Sequence, residues 1–166
     1  MHSDPGTGTT FCVYLPASAE KAERQAALEL PPSTQTVAVR RQIHVLVMDD
    51  EEMVRSVAGK MLEICGFQVA LAVEGEEAIS KLREAKGSAR PFDVVILDLT
   101  VKGGMGGEEA IRKIREIDTE VKAIVSSGYS DSPVVSDYRA YGFDACLNKP
   151  YTVSALRDGL AALLAG

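Results

Sequence analysis

Four apolar runs in this chain lead directly into residues able to do chemistry. Ile43 to Met48 runs into Asp49-Asp50, Val94 to Leu97 into Asp98, Val121 to Val125 into Ser126-Ser127, and Ala145 to Leu147 into Asn148-Lys149-Pro150. Three carboxylates gathered at one place repel one another, which is tolerable only when a cation neutralises them or some stay protonated. A donor set of oxygens without His or Cys suits a hard ion, Mg²⁺ above all. Magnesium keeps several waters, so two carboxylates and a backbone carbonyl leave positions open for a phosphoryl oxygen. Beside such a site a carboxylate can itself be the nucleophile and form an acyl phosphate. The developing charge is then clamped by the metal on one side and by a lysine and a hydroxyl on the other. Asp98, alone at the end of the most apolar run, is best placed to attack, while Asp49 and Asp50 would hold the metal.

The runs that carry these residues alternate with segments of helical period. Val54, Val57, Ala58, Met61, Leu62 and Cys65 recur at i, i+3, i+4, i+7, i+8 and i+11, one face of a helix that Gly66 would close. Phe67 to Val73 predicts the next strand and Glu74 to Lys86 the next helix. Ala110, Ile111, Ile114 and Ile117 mark another helix, a further one is expected around Pro133 to Tyr141, and Val153, Leu156, Leu160 and Leu163 mark the last. About five β/α units in a row imply an α/β fold, a parallel sheet with helices on both faces. In such sheets ligands sit outside the carboxyl ends of the strands, which is where every group named above falls. The second strand ends blandly in Ala72-Val73, as fits a strand whose end lies away from the pocket.

Composition narrows the function further. Of 24 acidic and 18 basic side chains, residues 43–166 hold 20 and 14, so the whole net charge of −6 lies there and the surface should repel nucleic acid. No stretch approaches the roughly 20 apolar residues of a membrane helix, and Met1 to Gly8 lacks the form of a signal peptide, so a cytoplasmic location without membrane contact is expected. Cys12, Cys65 and Cys146 show no metal-ligand spacing and read as small buried hydrophobes. His2 and His44 receive no role. Thr9 to Pro16 looks like one strand led by a Gly/Thr loop, and residues 17–42, with PPSTQT, read as a linker.

VLVMDDEEMVR, VVILDLTVKGGMGG, AIVSSGYS and LNKPY, in this order and spacing, resemble the receiver domain of two-component response regulators over about residues 43–164. The resemblance implies a doubly wound (βα)5 flavodoxin-like parallel sheet of strand order 2-1-3-4-5. It implies phosphorylation on Asp98, Mg²⁺ held by Asp49, Asp50, Asp98 and the backbone carbonyl of Thr100, a phosphoryl contact from Ser126, a salt-bridging Lys149, and a cis Lys149-Pro150 bond. Such a receiver takes its phosphoryl group from a phosphohistidine on a kinase or phosphotransfer domain and catalyses its own phosphorylation and dephosphorylation. A homodimer is left open.

Three departures from the family's commoner pattern stand out. Cys146 occupies the switch position, usually Tyr or Phe, that swings toward the hydroxyl residue, although Tyr129 and Tyr151 lie nearby. The loop Val101 to Gly106 has an extra glycine and Lys102 where proline is frequent, which predicts a looser loop. The hydroxyl residue is Ser126 in place of threonine. Hydrolysis of the acyl phosphate is tuned in the family two residues after the phosphorylated Asp and two after the hydroxyl residue. Those positions are Thr100 and Gly128, neither acidic nor amide-bearing, so slow self-dephosphorylation is expected.

Gly6 to Pro16 resembles the GxGTTFxxYLP ending of the ATP-binding domain of sensor histidine kinases. Residues 1–16 would then be the remnant of that domain, 17–42 a linker and 43–166 the receiver of a hybrid sensor kinase. The competing readings are a stand-alone regulator without a DNA-binding output, an interaction module that works without phosphorylation, and a flavin- or nucleotide-binding protein. The intact Asp49, Asp50, Asp98, Ser126 and Lys149 set counts against the second. The third would need a glycine loop after the first strand, where Asp49-Asp50-Glu51-Glu52 stands instead. Taken singly, Asp49 to Glu52 could be an acidic first helical turn and Asp98 or Ser126 turn caps. Those plain readings leave unexplained why four strand ends carry the needed groups.

Overall fold

The computed structural model describes residues 2–4, 8–10, 42–128 and 132–165. The chain divides into two units, Met1–Ala38 and Val39–Gly166. In the first, strands β1 (His2–Asp4) and β2 (Gly8–Thr10) pair antiparallel with His2 opposite Thr10. The sequence led to a loop through Gly8 and a strand from Thr9; instead Gly8 begins the strand, which finds its partner in the polar residues just upstream. Phe11 to Pro16 and the linker up to residue 41 lie outside the described residues.

The second unit is built on five parallel strands, β3 (His44–Met48), β4 (Gln68–Ala72), β5 (Val94–Asp98), β6 (Lys122–Ser127) and β7 (Ala145–Asn148). Their order is β4-β3-β5-β6-β7, which is 2-1-3-4-5 when β3 is counted first. Side-chain alternation divides the core in two. Val94, Ile96 and Ile124 face Ala58 and Leu62 of α1 (Glu52–Ile64) and Leu156 and Leu160 of α5 (Val153–Ala165). Val95, Leu97 and Val125 face Ala78 and Leu82 of α2 (Gly75–Lys86), Ala110, Ile111 and Ile114 of α3 (Gly107–Ile117), and Val134 of α4 (Pro133–Ser136). Every residue of β5 is buried, as a central strand covered on both faces requires.

Gly66 closes α1 with φ +90°, and the bonds Gly66 N–H to Glu63 O (2.9 Å) and Phe67 N–H to Leu62 O (3.1 Å) complete a Schellman motif. The face read from the spacing is narrower than expected. Ala58 and Leu62 are buried, but Val57 stays 44% exposed, because α1 is covered only along its Ala58-Gly59-Leu62 line. The helix expected around Pro133 to Tyr141 is shorter, with α4 ending at Ser136. Beyond it, four-residue turns (Ala140 N–H to Asp137 O, Gly142 N–H to Arg139 O) lead to Gly142 at φ +93°. That tighter path lets Tyr138 and Tyr141 pack on the core.

Candidate functional site

At the carboxyl ends of the strands, β3 delivers Asp49, 2% exposed, and β5 delivers Asp98, 7% exposed. From the end of edge strand β7, Lys149 reaches both, its Nζ 2.6 Å from Asp49 Oδ2 and 2.8 Å from Asp98 Oδ1. Asp50 completes a cluster in which one oxygen from each of the three carboxylates lies within 4.8 Å of the others. Two further hydrogen bonds fix Asp49. Glu51 N–H donates to Asp49 Oδ1 at 2.9 Å, and the Arg55 guanidinium donates to the Asp49 carbonyl at 2.6 Å. The groups line a cleft of about 400 Å³ together with Thr100, Lys102, Ser127 and Gly128.

Burial pushes the Asp98 carboxyl above its ordinary range, Lys149 pulls it back, and the neighbouring Asp49 and Asp50 charges raise it further. Burial alone would lower Lys149, but its hydrogen bonds to Asp49 and Asp98 prevail and hold the ammonium firmly protonated. One lysine against three carboxylates leaves an excess of negative charge. An all-oxygen donor set with that excess fits a hard divalent cation.

The loop after β5 is fastened where the sequence led to looseness. Lys102 N–H donates to Asp50 Oδ2 at 3.2 Å, Met105 N–H to Glu74 Oε2 at 3.3 Å, and Gly75 N–H to the Met105 carbonyl at 2.9 Å. Met105 is 9% exposed, an anchor that offsets the freedom of the added glycine, and Gly103 takes the left-handed turn at φ +74°. The start of α3 lies against the backbone of β5. A Cβ on Gly106 would stand 2.6 Å from the Leu99 carbonyl oxygen, and one on Gly107 2.7 Å from that of Asp98.

The family model of the response regulator receiver domain matches residues 45–161. The chain belongs to this family. Among sensor proteins, the receiver-bearing chain is similar to the virulence sensor protein BvgS of Bordetella bronchiseptica, with 33% identity over 96% of this chain and 13% of BvgS. It is also similar to the sensor protein EvgS of Escherichia coli K12, 26% identical over 98% of this chain and 13% of EvgS. The chain thus spans about an eighth of the length of these two relatives. The fold is shared with the crystal structure of the receiver domain of sensor histidine kinase PA1611 from Pseudomonas aeruginosa, solved with a magnesium ion in its active-site cleft. That likeness has a TM-score of 0.64 at 20% identity and covers 75% of this chain and 99% of that one. No helix among the described residues is long and apolar enough to cross a membrane.

In this receiver the two adjacent serines part company. Ser126 is 1% exposed and its Oγ lies 2.9 Å from the Tyr151 hydroxyl, while Ser127 lines the acidic cleft. The sequence reading gave the phosphoryl contact to Ser126, and the structure instead places that hydroxyl against Tyr151. Strand β6 continues to Ser127, two residues beyond the expected end, and alternation sends neighbouring side chains to opposite faces. Cys146, half-buried on the α3 side of the sheet, has its Sγ 4.0 Å from Asn148 Oδ1, and burial pushes its thiol up. Gly128 and Thr100 line the cleft, Tyr129 lies outside the described residues, and Lys149-Pro150 is cis as expected. His44 stacks near Phe92 with ring centroids 4.1 Å apart, far along the strand from the cleft.

Proposed function

We propose that Asp98 accepts a phosphoryl group from a phosphohistidine on a kinase or phosphotransfer domain. The observation that carries this reading is Lys149 held between Asp49 and Asp98, with Asp50 in the same 4.8 Å cluster. An Asp98 carboxylate oxygen bonds to phosphorus as the P–N bond of the phosphohistidine breaks, the electron pair leaving with the imidazole nitrogen. Lys149, already on Asp98, meets the developing phosphoryl charge, and Ser127, which lines the cleft, takes the hydroxyl contact in place of Ser126. Asp49, Asp50, Asp98 and the Thr100 carbonyl are the residues to hold Mg²⁺. Mg²⁺ there supplies positive charge against the carboxylates and the incoming phosphoryl oxygens. With Ser127 as the hydroxyl residue, the second rate-tuning position moves from Gly128 to Tyr129, again neither acidic nor amide-bearing, so slow self-dephosphorylation remains the expectation.

The setting we propose is the receiver part of a hybrid sensor kinase, residues 1–16 being the end of the kinase's ATP-binding domain. Its support is that the similarity to EvgS extends over 98% of the chain, beyond the 45–161 of the family match. The acidic balance of residues 43–166 favours protein partners over nucleic acid. Incubation with Mg²⁺ and acetyl phosphate, followed by intact mass, tests the chemistry. One phosphate adduct is expected, abolished by Asp98→Asn and by EDTA; an adduct that persists in Asp98→Asn would overturn the assignment.

A further inference from the structure

Lys149 carries the cleft's cation but stands on its least supported strand. β7 is an edge strand paired only with β6, Ala145 to Leu147 are only partly buried, and Asn148 and Pro150 are exposed. The carboxylates it serves lie on the inner strands β3 and β5, so the ammonium must reach over β6 to both. A lysine's four-carbon stem is flexible, so its backbone must be fixed for the ammonium to span two targets in one geometry. One backbone bond does part of this, Lys149 N–H to the Ser127 carbonyl at 2.8 Å. Two residues on, the Tyr151 hydroxyl meets Ser126 Oγ at 2.9 Å.

Ser126 is a suitable anchor. It lies on inner strand β6, in register with Asp98, and its carbonyl accepts the Leu99 N–H at 2.9 Å. Tyr151 thereby fastens the Lys149-bearing turn to the strand that neighbours the phosphoacceptor. Tyr151 also packs against the core cluster that contains Ile124, Leu156 and Leu160, so the turn is held by packing as well as by the hydroxyl. Ser126 is 1% exposed, so removing the Tyr151 hydroxyl leaves the Ser126 hydroxyl buried without that partner.

We infer that Ser126 and Tyr151 are positioning residues that set the Lys149 ammonium between Asp49 and Asp98. This deepens the proposed function and rests on it for the kinetic part alone. The test measures the Lys149 Nζ signal by NMR in the unphosphorylated protein and the acetyl phosphate labelling rate with Mg²⁺, for Tyr151→Phe, Ser126→Ala and Ser126→Thr. Tyr151→Phe and Ser126→Ala should each move the Lys149 signal and slow labelling several-fold, the double variant no further than either single one, and Ser126→Thr should retain both properties. In a Lys149→Met background, Tyr151→Phe should leave the labelling rate unchanged while still lowering the melting temperature.

An unmoved Lys149 signal in both Tyr151→Phe and Ser126→Ala would overturn the inference and leave the pair purely structural. So would a rate loss that adds fully to that of Lys149→Met. Failure of the wild-type protein to label with any donor would sink the phosphoacceptor reading instead, and the NMR measurement would still decide the positioning role.

Discussion

The two ends of the sheet each hold a buried or half-buried ion pair, and they are built to opposite purposes. At the amino end, Arg115 Nε donates to the Gly142 carbonyl at 2.9 Å, a terminal nitrogen to the Val121 carbonyl at 2.6 Å, and the other to Asp144 Oδ2 at 2.8 Å. Asp144 Oδ2 also accepts the Ala123 N–H at 2.7 Å. One cation meets one acid, and the remaining donors are spent on backbone. At the carboxyl end, one lysine meets Asp49 and Asp98 with Asp50 beside them, and the cleft stays open to solvent. The difference teaches how to tell a structural ion pair from a reactive one. The first spends its guanidinium donors on one acid and on backbone carbonyls, while the second is short of positive charge in its residue set.

The largest expected effect follows from that shortage. Lys149→Met strands Asp49, 2% exposed, without its cation, and should cost about 3 kcal/mol in EDTA, with much of the loss recovered in millimolar Mg²⁺. Denaturant unfolding with and without the metal checks this; a loss insensitive to Mg²⁺ would erase the distinction between the two ends. Arg115→Met should cost about 2 kcal/mol through the stranded Asp144 and carbonyls, and by the same amount whether or not Mg²⁺ is added.

A smaller effect, of opposite sign, is expected at Asp98. Its folded carboxyl sits above the ordinary range, so its protonated form favours the fold below about pH 4, and this contribution is lost as pH rises through the raised value. Asp98→Asn stays neutral throughout. It should melt roughly 3 °C above the wild type at pH 7 in EDTA, with the gap closing as the pH falls toward the unfolded carboxylate value. Equal gaps at pH 7 and pH 3.5, by thermal melting, would contradict that account. The smallest effect concerns lifetime alone. Thr100→Asn, which adds an amide able to orient water, should shorten the phosphorylated state while leaving stability within about 0.5 kcal/mol, read by timed intact mass and by melting.

The reactive end was the more legible one in the sequence. Asp49, Asp98 and Lys149 are charges at the ends of apolar runs, where no solvated surface is expected, and the parallel-sheet rule then gathers them. Residue type could not choose between Ser126 and Ser127. The choice depends on where β6 ends and on strand parity, and a shift of one residue moves the hydroxyl to the other face. The closed pair could not be read at all. Arg115 and Asp144 are 29 residues apart and each looks like an ordinary surface charge until the end of α3 and the turn before β7 are brought together. The loop after β5 misled for a related reason. Counting glycines captures backbone freedom, but not the burial of Met105 or the reach of Glu74.

Helix α3 joins the two ends. Its first residue, Gly107, has no room for a methyl group against the Asp98 carbonyl, and its ninth, Arg115, is clamped to Gly142, Val121 and Asp144. Between them the helix measures about 12 Å at 1.5 Å per residue, and its buried face of Ala110, Ile111 and Ile114 is seated on the sheet. In mechanical terms it is a strut with both feet fixed. A methyl group at Gly107 would be admitted only by lifting the start of the helix off the phosphoacceptor's carbonyl, against the guanidinium joint that holds its other end.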